Sequence, residues 1–403
     1  MKSKLRGGLT GLLQLSSASL LSAIGFIVIA SSQYSPLDPA KASFVLLFVQ
    51  TQVLGLTIAK LGIEQVIFSS VSRDPTIVFN FKHFVVTWLA PLTFFISVLI
   101  YLFLGSALTA GIAFASIILD AKSLADMADG NARGFYKSTA FANLLNYPLF
   151  FLTIFIGEYF SDLSIINILA LFLLGSVLRF TCISFQAAKW RGKNLVTFNA
   201  PIRMGLQQCL NFLLFRFDQV FLSVTNLPTV TQGGSSTFLS AYLSLAKYPE
   251  ALSAAFVIVG TVFFPKLASE IQLNTNMEWQ ATGRKIAVLA PIVAACMIAI
   301  VFGAYVYSAV FVTDNPGLPP MAFAIQALLV LPVNWVTFSM LRNGTMTALN
   351  RNLALSICVG LLFTLLGARW LEVTLVWVVS VQLAVFICLR LILPSGQAAA
   401  AYK

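Results

Sequence analysis

Residues 165–223 read IINILALFLLGSVLRFTCIS, then FQAAKWRGKNLVTFNAP, then IRMGLQQCLNFLLFRFDQVFLS. The outer two pieces are each about the 20 residues that carry a helix across the hydrocarbon of a bilayer. Neither alternates apolar with polar residues as a barrel strand does, so helix is the conformation that satisfies their backbone in lipid. Between them Lys189, Trp190, Arg191 and Lys193 form a basic, aromatic stretch. That composition predicts a segment over 187–203 lying on the inner leaflet, and it divides the chain in two.

The same ruler applied outward finds about twelve spans. The first six cover roughly 9–31, 43–68, 83–104, 106–125, 139–157 and 163–186. The second six cover roughly 204–225, 236–262, 285–311, 318–341, 351–369 and 371–393. Six helices per half place both halves in the same orientation, as in parallel repeats related by an axis along the membrane normal. The expected fold is therefore an all-α polytopic membrane protein with two six-helix bundles, 1–192 and 193–403, related by a pseudo-two-fold. A faint internal echo agrees: LTIAKLGIE, with Lys60 and Glu64 on the second span, and SLAKYPE, with Lys247 and Glu250 on the eighth.

Composition supports the membrane assignment. The 403 residues are 59% hydrophobic and 10% charged, with a mean hydropathy of +0.89. A soluble domain carries roughly 25% charged residues, and a disordered chain would carry far less apolar surface. The net charge of +11 would suggest nucleic acid in a soluble protein. Here it reads as the cytoplasmic bias of Lys and Arg in membrane loops. With the N-terminus inside, the inside segments run from Lys2, Lys4 and Arg6 through Arg133, Lys137, Lys189 and Arg191 to Arg390 and Lys403. The outside loops hold only Lys41 and Arg369. Both termini are expected in the cytoplasm, and the first span is expected to be a retained helix and not a cleaved signal.

Several function classes are disfavoured. The loops are too short for a nucleotide-binding domain, and no GxxxxGK[ST] phosphate loop occurs. His83, the single histidine, removes His-based metal sites and Ser-His-Asp triads. It reads as an interfacial residue. The five cysteines lie in apolar context without metal-ligand spacing and read as small buried hydrophobes. Neither an enzymatic role nor a cofactor is expected, and nucleic acid is not an expected partner.

The chemistry then rests on ionisable residues inside spans, each costing about 2.5–3.5 kcal/mol to insert. The candidates are Lys60, Glu64, Arg179, Arg216, Asp218, Lys247 and Glu250. Arg216 and Asp218 stand about 200° apart on a helix, so each needs a partner on another helix or a wet cavity. Lys60 and Glu64, and Lys247 and Glu250, can pair within their own helices. Pro249 predicts a weakened helix at the eighth span. Arg179 is expected to snorkel to the inner surface or to line the inner mouth of a cavity. Asp120, Lys122, Asp126 and Asp129 read as a solvated loop. A cleft with spare Arg and Lys suits a phosphate or pyrophosphate substrate.

The stretch FRFDQVFLSVTNLPTV at 215–230, followed by STFLSAYLSLAKYPEALSAAFVIVGTVFFPKLA at 236–268, resembles the O-antigen/polysaccharide flippase family. That family belongs to the multidrug/oligosaccharidyl-lipid/polysaccharide (MOP) transporter superfamily. Arg216 and Asp218 on one helix, Tyr242 and Ala246 on the next, and the Phe264, Pro265 and Leu267 end carry the resemblance, with Ser240-Ala241 where a glycine is usual. The resemblance implies a transporter in the bacterial inner membrane. Its substrate would be an undecaprenyl-pyrophosphate-linked oligosaccharide, flipped from the cytoplasmic to the periplasmic leaflet by alternating access. Membrane lipids and polysaccharide polymerase machinery are the further partners implied. Arg216, Lys247 and Lys60 would contact the pyrophosphate, with Arg179 at the inner mouth. Asp218, Glu64 and Glu250 would balance these charges or exchange a proton. A cation-coupled small-molecule exporter of the same superfamily is the alternative, and a membrane polysaccharide polymerase or glycosyltransferase is a third.

Overall fold

The computed structural model describes residues 16–18, 20–31, 34–104, 106–190, 194–196, 202–231, 237–270, 279–312, 317–342 and 346–392. The side chains of 255–294 fall outside that set, as do those of Phe264, Pro265 and Leu267 and most of the expected interfacial segment.

Among the described residues the fold is almost entirely helical, and every apolar segment anticipated from sequence carries helix. The first bundle contains α1 (Ser16–Ala30), α2 (Pro39–Ala59), α3 (Ile63–Arg73), α4 (Phe81–Phe84) and α5 (Ala90–Leu104). It continues with α6 (Ala107–Ala132), α7 (Tyr136–Leu144), α8 (Tyr147–Phe160) and α9 (Ile165–Trp190). The second contains α10 (Ile202–Thr231), α11 (Thr237–Glu270), α12 (Trp279–Phe311), α13 (Pro320–Arg342), α14 (Met346–Leu366) and α15 (Leu371–Ile392). Among the described residues eight helices are long and apolar enough to cross a bilayer. Large apolar side chains on their outer faces, such as Phe94 at 65% and Leu366 at 87% exposure, are what lipid would cover. This is a multi-pass membrane protein.

Local chemistry explains the element ends. Asp38 caps α2 by accepting from the Lys41 backbone N–H at 2.9 Å, with Pro39 in the first turn. Ser106 caps α6 by accepting from Thr109 N–H at 3.2 Å.

The spans are less regular than their hydropathy. The second span is not one helix: Leu61 (φ 46°) and Gly62 (φ 71°) break it between α2 and α3. Leu61 is a non-glycine residue held in the left-handed region, a strained conformation that packing must maintain. Its neighbour across the break is Gly205 of α10, where an added Cβ would sit 3.0 Å from Leu61 Cα. The fifth span breaks at Asn146 (φ −101°, ψ −109°), between α7 and α8. Gly175 of α9 accommodates that break, since a Cβ there would lie 3.3 Å from the Leu145 carbonyl oxygen. Pro249 leaves α11 continuous over Thr237–Glu270. The second bundle's irregularity falls instead in α10, at Arg216 (φ −137°, ψ 17°).

Three further expectations are corrected. Asp120, Lys122, Asp126 and Asp129 lie on α6 and not in a loop, with Asp120 at 2% and Asp126 at 8% exposure. Ion pairing and bundle packing hold them there: Asp126 takes the Lys122 ammonium, and Asp129 accepts from Arg133 Nε at 2.9 Å. Cys296, Cys358 and Cys388 are exposed, not buried, because a thiol is apolar enough to face lipid. Part of the basic linker forms β2 (Asn194–Val196), which pairs in parallel with β1 (Ile77–Phe79), Ile77 opposite Asn194.

The apolar core shows how the bundles meet. One cluster joins Phe26, Leu37 and Leu46 of the first bundle to Leu239, Tyr242, Val312 and Leu318 of the second. Among the described residues two smaller clusters stand apart from it. Leu214, Val330, Leu349 and Phe386 fill the second bundle. Met127, Ala142, Ile183 and Ala187 pack together as a small cluster in the first. The two halves thus share one continuous apolar cluster.

Candidate functional site

A cluster of charged side chains built on α10 and α11 of the second bundle meets the first. Arg216 sends Nη2 to Glu250 Oε2 and Nε to Glu250 Oε1, both at 3.0 Å. Lys247 Nζ reaches the same carboxylate at 2.6 Å, one turn away on α11. Gln219 Nε2 donates to Glu250 Oε1 at 2.8 Å. Two cations therefore share one carboxylate, leaving a surplus positive charge. The group is not sealed: the Arg216, Glu250 and Lys247 side chains are 22%, 16% and 10% exposed.

The first bundle touches this group with two side chains. Gln50 of α2 donates from Nε2 to Gln219 Oε1 at 3.1 Å. Phe26 of α1 lies under Lys247, whose ammonium stands 4.0 Å from the ring centroid. Phe212 stacks on the other cation, 5.3 Å from the Arg216 guanidinium carbon.

Asp218 faces elsewhere. It is 1% exposed, accepts from the Tyr242 hydroxyl, and takes the Gln219 backbone N–H at 2.7 Å. Tyr242 OH also lies 3.1 Å from the Leu375 carbonyl oxygen, and its ring meets Phe323 edge-on at 5.4 Å. As sequence geometry required, Arg216 and Asp218 do not pair with each other. Both find partners on α11, because the non-helical turn at Arg216 interrupts the regular 100° step.

Lys60 and Glu64 do pair, at 2.6 Å, but across the α2–α3 break and not along one helix. That break abuts Gly205, and from 205 to 216 a helix rises about 16 Å. Lys60 thus lies at a different level along α10 from Arg216, and no described ion pair links the two.

Arg179 differs most from expectation. It neither snorkels nor borders an opening: it is 4% exposed inside the first bundle, with Nη2 2.7 Å from Asp120 Oδ1. Asn146 Nδ2 approaches the same oxygen at 3.5 Å. The break at Asn146 brings that amide to the carboxylate, so the buried pair gains a further polar neighbour.

Sequence reasoning did not single out Phe26, Gln50, Gln219 or Asn146. Amides inside an apolar span, as in VQTQV at 49–53, are the signal that could have found Gln50. An apolar ring beneath a lysine leaves no comparable mark. Among the described residues no group of three or more His, Cys, Asp or Glu could hold a metal ion.

No family model and no curated protein matches the chain. Solved structures do. A eukaryotic MATE transporter, AtDTX14, superposes with a TM-score of 0.54 at 14% identity, over 96% of this chain and 94% of that one. A MATE structure in the bent conformation gives 0.51 at 14% identity, over 96% and 94%. The likeness spans nearly the whole of each chain, and what it shares is the fold.

Proposed function

From this MATE-like fold, we propose that the chain is a membrane transporter that flips a lipid-linked oligosaccharide carrying a diphosphate. The observation that carries this reading is the convergence of Arg216 and Lys247 on the single carboxylate of Glu250. A diphosphate supplies the negative charge that the trio lacks. Arg216 offers it a planar, two-pronged donor and Lys247 a point charge. Glu250 holds the two cations apart from lipid until the anion arrives.

Sugar and diphosphate pass between the bundles while the lipid tail remains in the bilayer, and the bundles rock about the site. Asp218 keeps Tyr242 in place behind the site. Arg179 and Asp120 brace the first bundle. Lys60 and Glu64 pair across the α2–α3 break and form a second polar level along α10. The proposed location is the bacterial inner membrane with both termini in the cytoplasm, on the strength of the basic-residue bias.

The test is flipping of a fluorescent polyprenyl-diphosphate sugar in liposomes containing purified protein. Arg216→Ala is expected to abolish it at unchanged protein level, and undiminished flipping would refute the assignment. The likeness to MATE transporters favours a second reading, cation-coupled export of a small molecule. Efflux of such a molecule, lost in Glu250→Gln and retained in Arg216→Ala, would select it.

A further inference from the structure

Lys247 has two partners of opposite allegiance. One is Glu250, on its own helix, and the other is the ring of Phe26, in the other bundle. Phe26 is 5% exposed and meets Phe151 edge-on, centroids 6.5 Å apart at 90°. The residue before it is Gly25, whose missing Cβ lets α1 lie directly on the Phe151 ring. The first bundle therefore presents the Phe26 face in a fixed direction, towards the ammonium.

The face of an aromatic ring carries negative electrostatic potential. It attracts a cation and repels an anion. An anion that takes Lys247 brings its own charge close to that face. Glu250 already shares Lys247 with the ring, so the larger charge of a diphosphate is what would draw the ammonium off the Phe26 face.

We infer that Phe26 is a latch: its π face holds Lys247 and so holds the two bundles together at the level of the site, and an arriving diphosphate releases it by competing for the same ammonium. Phe26 is thus a positioning residue for transport, acting through Lys247. The Gln50–Gln219 hydrogen bond lies beside it and would weaken as the bundles part. The identity of the anion rests on the function proposed above, whereas the latch itself rests on the geometry of Phe26 and Lys247.

The experiment uses the full-length protein in nanodiscs, with the five native cysteines replaced. Spin labels are placed at Ser161 and Met321, exposed residues of the first and second bundle. Phe26 is replaced by trifluorophenylalanine, which keeps the ring's shape and drains its negative face. Without ligand, this replacement and Lys247→Met should each raise the separated population about fivefold. Combined, they should do no more than either alone, because they remove one interaction. Inorganic pyrophosphate should separate the labels in the parent protein and have no added effect in Lys247→Met.

A distance distribution unmoved by fluorination overturns the latch, whatever pyrophosphate does. Additive effects of the two changes overturn it equally. Separation on fluorination without any response to pyrophosphate upholds the latch and removes the diphosphate reading.

Discussion

Glu250→Gln gives the most direct test of the charge arrangement, because it changes one atom type and leaves the side chain's shape. In the parent protein the carboxylate takes Arg216 twice at 3.0 Å, Lys247 at 2.6 Å and Gln219 at 2.8 Å. Removing one partner of a buried ion pair costs about 3–5 kcal/mol, since the remaining charge is stranded. The partial exposure of Arg216 and Glu250, 22% and 16%, places this site near the lower end. A loss of about 3 kcal/mol should lower the melting temperature of the detergent-solubilised protein by several degrees.

The same change frees both cations for an external anion. A hydrogen bond to a charged group is worth about 1.5–3 kcal/mol, so inorganic pyrophosphate should bind roughly 10- to 100-fold more tightly to the variant. Its stabilisation of the variant, followed by intrinsic fluorescence during heating, should grow accordingly. A Glu250→Gln protein that melts with the parent, or that gains no more from pyrophosphate than the parent does, would falsify the shared-carboxylate reasoning.

Other expectations follow from geometry elsewhere in the fold. Asp120→Asn strands the buried Arg179 and should cost about 3–5 kcal/mol of stability, while flipping per folded molecule, measured in liposomes, stays unchanged. Gly205→Val pushes a side chain into the Leu61 backbone and should destabilise by about 1–3 kcal/mol, read from the melting temperature. Leu195→Pro removes a backbone donor from β2 and should expose the linker, seen as faster trypsin cleavage near Lys189. Tyr242→Phe leaves Asp218 buried without its hydroxyl donor and should destabilise by about 1–3 kcal/mol, with Asp218→Asn partly rescuing the double variant.

The sequence by itself determined the solvent and the class of fold. Continuous apolar runs near 20 residues force helix in lipid, and that requirement is local, so it can be read without knowing any contact. It also set the expectation that Arg216 and Asp218 take different partners, and they do, although the turn at Arg216 breaks the regular helix from which that angle was read. Which partners they find was decided only by tertiary structure. Glu250 could have served Lys247 alone; the turn at Arg216 brings a second cation onto it. Arg179 read as a snorkelling residue because its span position suits that role, yet the break at Asn146 and the carboxylate of Asp120 hold it in the bundle interior. The breaks at Leu61 and Asn146 leave little hydropathy signal, since packing against Gly205 and Gly175 maintains them. Phe26 looks like any other lipid-soluble ring until the fold lays it beneath an ammonium: electrostatics between bundles depends on distance in space, which the order of residues along a chain does not contain.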